Sequence, residues 1–178
     1  VSSVLNAIPA TAGAVTSSYI LAGAVTQSAL ATGVAGNGPT FNATNSGTQT
    51  YSASTWTKIL FQTKNWDTNT NFASSTFTPT VAGYYLISGC VNQDYAGAAG
   101  SVTSVAIYKN GSIHYTNSYR FGSNVGIYGG LGISTIVSFN GSTDYVEIYA
   151  WSNNGSPQIN VSGTGGSTIF TGAMVRSA

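Results

Sequence analysis

Two Asn-Gly dipeptides, Asn110-Gly111 and Asn140-Gly141, each separate two runs rich in β-branched and aromatic residues. Asn and Gly reach positive φ at little cost, and a two-residue turn that follows the twist of paired strands needs that conformation. "SVTSVAIYKNGSIHY" therefore predicts a hairpin, with strands Val102 to Tyr108 and Ile113 to Tyr119 around Asn110-Gly111. "LGISTIVSFNGSTDYVEIYAW" repeats the design, with strands Leu131 to Phe139 and Tyr145 to Trp151 around Asn140-Gly141. "FTPTVAGYYLISGCV" adds a turn at Pro79 and Gly83 and a strand from Tyr84 to Val91, and "STIFTGAMV" adds a last one. Short strands divided by turn signals, with no convincing helix among them, predict an all-β sandwich or barrel.

The strand from Tyr84 has no polar face. Tyr84, Leu86, Ser88 and Cys90 line one side, and Tyr85, Ile87, Gly89 and Val91 the other. The closing run is similar, with Ile169, Thr171 and Ala173 against Phe170, Gly172 and Met174. An antiparallel strand with one wet face alternates apolar with polar. These strands are expected to be covered on both sides, by the domain's core and by a second subunit or a larger core. Tyr84, Tyr85, Ile87 and Phe170 are the head's candidate interface residues. Cys90 lies inside the apolar run and reads as a buried, inert thiol.

Residues 1–38 are different. They are Ala, Val, Thr, Ser and Gly with one aromatic residue, Tyr19, and "GNGP" (Gly36 to Pro39) marks their end. "AGAVTSSYIL" is followed directly by "AGAVTQSALA". Gly13, Gly23 and Gly33 fall ten apart, and Val15, Ile20, Val25 and Leu30 five apart. A five-residue spacing drifts around a helix and flips sides on a straight strand. A bend at each glycine returns the apolar residues to one side. One such chain buries too little to offset its entropy, whereas several in register shield one another. Val15, Ile20, Val25 and Leu30 are thus candidate contacts of an oligomeric stalk; a flexible linker is the alternative.

Charge narrows the functions. Five basic and four acidic residues occur among 178, none before Lys58, for a net charge of +1. Nucleic-acid binding needs clustered Lys and Arg, and a membrane span needs about 18 or more consecutive apolar residues; neither occurs. The stretch Val4 to Ala35 also lacks the basic start of a signal peptide. His114 is the single histidine, and no His/Cys/Asp cluster has ligand spacing, so no metal or other cofactor is expected. No nucleophile elbow accompanies His114. Asp144 and Glu147, three apart on a strand, point to opposite faces and could not flank a glycosidic bond. No enzymatic activity is expected.

Residues 39–176 resemble a known family. "PTFNAT" (Pro39 to Thr44), "WTKILF" (Trp56 to Phe61), "NWDTNTNF" (Asn65 to Phe72), "FTPTVAGYYLISG" (Phe77 to Gly89), "VAIYKNG" (Val105 to Gly111) and "STIFTGAMV" (Ser167 to Val175) stand in the order found in C1q/TNF-like jelly rolls. The flavour is similar to the C1q-like tips of bacteriophage tail fibres and of bacterial surface proteins, which often follow alanine-rich decapeptide stalks. The resemblance implies a ten-stranded jelly roll at 39–178 that forms a homotrimer, with its first and last strands together at the stalk end. Calcium binding, known in some animal heads, does not suit a domain with four acidic residues.

With the last strand returning to the stalk, strand parity places three segments at the far tip: Asn92 to Gly100, Phe121 to Gly130, and Trp151 to Thr168. Asn92, Asp94, Tyr95, Asn124, Tyr128, Asn153, Asn154, Gln158 and Asn160 are the candidate receptor contacts, since amides beside aromatic rings suit a glycan; ordinary turn chemistry is the alternative. Tyr145, Glu147, Tyr149 and Trp151 share a strand face opposite Val146, Ile148 and Ala150, and read as packing, interface or a carbohydrate platform. Tyr115, Tyr119 and Arg120 are further surface candidates. The expectation is a trimeric virion adhesin, a tail-fibre tip that holds a host cell-surface glycan or protein and joins other fibre proteins through its N-terminus. A non-binding trimerisation cap, or a bacterial exosporium or surface protein, is the alternative.

Overall fold

The computed structural model describes residues 37–97, 99–122, 125–154, 158–159 and 168–178. Val15, Ile20, Val25 and Leu30 of the repeats lie outside these residues, as do Asn124 and Asn160. In chain order the strands are β1 (Thr40–Thr44), β2 (Gln49–Thr50), β3 (Thr57–Lys58), β4 (Thr63–Asp67), β5 (Phe72–Ala73), β6 (Thr76–Phe77), β7 (Gly83–Gly97), β8 (Val102–Lys109), β9 (Ser112–Arg120), β10 (Val125–Phe139), β11 (Val146–Ser152), β12 (Gln158–Ile159) and β13 (Ile169–Ser177). All pairings are antiparallel and fall into two sheets.

In the first sheet β7 is the hub. β10 pairs with it along all 15 residues, from Val125 opposite Gly97 to Phe139 opposite Gly83. On its other side β13 runs from Ile169 opposite Cys90 to Ser177 opposite Gly83, and β12 takes over at Gln93 and Asp94. β1 then pairs with β13, and β4 with β1. The second sheet runs β5-β6-β11-β8-β9, with β3 beside the later part of β11. The first and last strands are neighbours, as expected, and the Met174 amide donates to the Pro39 carbonyl at 3.0 Å.

The inner faces make the core. Tyr85, Ile87 and Val91 from β7 meet Val146, Ile148 and Ala150 from β11 and Val105 and Ile107 from β8, all fully buried. Phe41 of β1 sits among aromatic rings, 4.3 Å from Phe77, 4.8 Å from Phe170 and 4.9 Å from Phe72 between centroids. Tyr85, Ile87 and Phe170, expected at a subunit interface, are therefore core residues of a single chain. The period of two decides this, since Tyr84 points outward and Tyr85 must point in.

Asn110-Gly111 and Asn140-Gly141 serve different ends. Asn110 and Gly111 have φ of 51° and 78° and close the β8–β9 hairpin as a two-residue turn. Asn140-Gly141 closes no hairpin, because β10 and β11 lie in different sheets. There the Asn140 side-chain oxygen accepts the backbone N–H groups of Ser142, Thr143 and Asp144, turning the chain from one sheet to the other. Gly141, at φ 73°, lies so close to the Ala82 backbone that a Cβ would collide with it.

The segments Asn92 to Gly100 and Phe121 to Gly130 were expected as tip loops. Most of both is strand instead, since β7 and β10 pair to Gly97 and Val125. Their Gly and Asn content reads as turn, yet each strand offers the other an unbroken ladder.

Candidate functional site

Three surfaces stand out. The outer face of the first sheet follows from alternation in β7, β10 and β13. Across the strands, Ile136 stands opposite Leu86 and Leu86 opposite Ala173; Ser134 opposite Ser88 and Ser88 opposite Thr171; Gly132 opposite Cys90 and Cys90 opposite Ile169. Tyr84, Leu86, Ile136 and Val175 are each roughly half exposed. Ser88 and Ser134 hydrogen-bond at 2.8 Å. Around Cys90 and Gly132 the surface dips into an apolar hollow of about 410 Å³. Cys90 was expected to face inward; it lies half-buried on this outer face, because it shares the parity of Tyr84 and Leu86. Burial pushes its thiol pKa up, so it is a poor nucleophile at neutral pH.

The second surface is β9, an edge strand exposed along its whole length. Ile113, Tyr115 and Tyr119 stand out from it half-exposed, and the Asn117 side chain donates to the Gly132 carbonyl of the other sheet. Arg120 and His114 are exposed on the same strand.

The third is the outer face of the second sheet, where Glu147, Tyr149 and Trp151 of β11, with Tyr145 just before it, stand opposite the core residues Val146, Ile148 and Ala150. Tyr149 stacks on Tyr108 at 3.9 Å between centroids. Trp56 lies 6.0 Å from Tyr108 and 6.4 Å from Trp151. Lys58 pairs with Glu147 at 2.6 Å, and Thr76 donates to the same carboxylate oxygen. Burial, and then Glu147, pushes the Tyr149 hydroxyl pKa up.

At the tip, the register does bring some expected residues together. Asp94 stands opposite Tyr128 on one side and Gln158 on the other, with Thr50 beyond Gln158. Tyr95 pairs with Ile127. Asn92 is buried, and its backbone N–H donates to Thr168. Asn153 accepts from the Val102 amide, and the Asn154 amide donates to Ser152, so both shape the turn after β11. Beneath them Gln93 is buried, with its carbonyl oxygen accepting from Tyr51 at 2.6 Å and Thr103 at 2.5 Å.

The carboxylates whose side chains are described each have structural partners. Asp67 receives the amides of Asn71 and Phe72 and pairs with Lys64. Burial works to raise its pKa, but those amides and Lys64 hold it below the usual range. Asp144 links the two Asn-Gly segments, accepting from the Asn110 side chain and the Asn140 amide and pairing with Lys109. The Asn110 amide and Lys109 draw its pKa down.

Two antiparallel sheets, joined so that the first and last strands lie side by side, make this a C1q/TNF-like jelly roll. The fold is similar to the globular domain of zebrafish complement 1qA protein, at 14% identity and a TM-score of 0.55, covering 79% of this chain and 99% of that one. It is also similar to murine APRIL, in a crystal structure at pH 5.0, at 10% identity and a TM-score of 0.55, covering 76% and 98% of the two chains. No family model and no curated protein matches the sequence.

Proposed function

We propose that the chain is a homotrimeric, non-enzymatic attachment module: a fibre-tip head, as in a bacteriophage tail fibre, that holds a host cell-surface structure. Domains of this fold are typically trimeric binding modules. The observation that carries the reading is a pair of different apolar surfaces left open on one copy. The outer face of the first sheet shows Tyr84, Leu86, Ile136 and Val175, and the β9 edge shows Ile113, Tyr115 and Tyr119. Patches of this kind on a monomer mark interaction sites. Two unlike patches fit head-to-tail contacts, which close into a ring when the rotation allows. Cover for the β9 edge also removes an aggregation hazard.

The position of β1 supports the fibre geometry. Its first residue, Thr40, pairs with Ala173 in the later half of β13, and the Met174 amide donates to the Pro39 carbonyl, at the end of the head away from Asp94 and Gln158. Three tips then point the same way, and three weak contacts act as one strong one, by roughly 10²–10⁴ in avidity.

The test has two parts. Light scattering on the full chain is expected to return three times its 18.2 kDa mass. The trimer is expected to bind whole host cells. A stable single copy overturns the reading, and a trimer that binds no cell type reduces it to a structural cap.

A further inference from the structure

Four aromatic rings lie on the outer face of the second sheet, where an antiparallel sandwich ordinarily carries polar side chains. Trp56, Tyr108, Tyr149 and Trp151 are each half-buried, so every ring keeps area facing solvent. They belong to three strands or their flanks: Trp56 precedes β3, Tyr108 ends β8, and Tyr149 and Trp151 lie on β11. This face belongs to the sheet opposite the one that carries Tyr84, Leu86 and Ile136, and its rings stand on β8, β11 and the approach to β3 rather than on the β9 edge.

Two features say what such a face would accept. First, the charges set among the rings cancel, because Lys58 and Glu147 pair at 2.6 Å and Thr76 and Tyr149 also donate to Glu147. The patch offers no net charge to an anion or a cation. Second, the indole N–H groups of Trp56 and Trp151 and the Tyr108 hydroxyl make no hydrogen bond among the described residues, and none of these atoms is shut away from solvent. An apolar protein surface laid over them would strand three polar groups without partners, which is unfavourable. A hydroxyl-rich ligand would satisfy them while stacking its C–H faces on the rings. Ser104 and Ser118, across the sheet from Trp151 and hydrogen-bonded to each other at 2.7 Å, extend the hydroxyl-bearing rim.

We propose that the face formed by Trp56, Tyr108, Tyr149 and Trp151 is a binding site for a neutral glycan. This rests on the attachment reading and moves its principal contact from the tip to the flank of each head.

The experiment titrates the full chain with linear neutral hexasaccharides of glucose, galactose and N-acetylglucosamine, with sialylated lactose as the charged comparator. Tryptophan fluorescence and calorimetry are the readouts. At least one neutral hexasaccharide is expected to bind and change the fluorescence, and sialylated lactose is not. Trp56→Ala and Trp151→Ala are expected to weaken binding by about tenfold or more, with native mass and melting temperature as checks on folding. Trp66→Phe, at the far edge of the first sheet, is expected to leave binding unchanged. Should an alanine variant not fold, Trp151→Phe keeps a ring, loses the N–H, and is expected to weaken binding less than tenfold. The proposal is overturned if no neutral hexasaccharide binds, if binding survives both tryptophan variants, or if the charged sugar binds as well. Whole-cell binding separates the two readings. Variants that hold cells as tightly as the parent overturn this site alone, whereas a parent that holds no cells overturns attachment itself.

Discussion

Ile136→Ser tests the association surface at its most exposed point. Ile136 keeps 57% of its area open on one copy, directly opposite Leu86 in the β7–β10 ladder. Full burial of an isoleucine side chain contributes about 1.5–3 kcal/mol, so the part still open can contribute about 1 kcal/mol when a neighbour covers it. A threefold assembly multiplies that by its three copies, to about 3 kcal/mol, or on the order of 100-fold in the trimer dissociation constant. The fold of one copy loses little, because a half-exposed surface position typically shifts stability by within about 0.5 kcal/mol. Ile136→Asp sharpens the contrast by bringing three unpaired carboxylates into the covered face. Sedimentation over a wide dilution range reads the dissociation, and urea unfolding of the dissociated chain reads the fold. Equal dissociation of parent and Ile136→Asp would refute the assignment of this face, as would a large loss of single-chain stability in Ile136→Ser.

Phe41→Ala removes a fully buried ring from the aromatic centre and is expected to cost about 3–5 kcal/mol, measured by denaturant unfolding. Cys90 is half-buried on the same outer face, so maleimide labelling is expected to be slow in the assembled protein and to speed up in Ile136→Asp. Stability is expected to vary little between about pH 5 and pH 9. Burial holds the Tyr85 hydroxyl at about 12, above its ordinary 10. Its contribution is full below pH 10, where both states are protonated, and is lost by up to about 1.4 kcal/mol per pH unit as pH rises toward 12. Asp67 and Asp144 are held below the ordinary value, so their contribution is present above about pH 4 and lost as pH falls further. Melting temperature against pH checks both limbs.

Much of the fold could be read from local signals. Asn110-Gly111 marks a hairpin because both residues adopt the positive φ that such a turn requires. Tyr84 to Val91 reads as a strand with two dry faces; in the structure one packs into the core, and the other leaves Tyr84 and Leu86 half exposed. Which face met the chain's own core was not legible, because alternation divides residues into two sets without saying which set points inward. Asn140-Gly141 misleads for a related reason: the same dipeptide that closes a hairpin also turns a chain between sheets, and only the pairing partners of β10 and β11 decide. The ring face was half legible. Tyr149 and Trp151 share a parity that anyone can count, but Trp56 and Lys58 join them through a two-residue strand, Thr57–Lys58, paired with Tyr149 and Ala150 far along the chain, which no local pattern announces. Asn92, Asp94, Tyr95, Tyr128 and Gln158 were misread as loop residues, since glycine-rich text carries no mark of a partner strand.

The placement of β1 has a mechanical consequence. It is held on both sides, by β13 and by β4, and its first residue, Thr40, lies opposite Ala173, away from the Asp94 end of the sheet. Force applied at the start of β1 while the far end of the head is held would run parallel to β1. Its flanking ladders would then share the load and yield together, in shear, rather than peel open bond by bond. A head held this way resists a pull directed along β1.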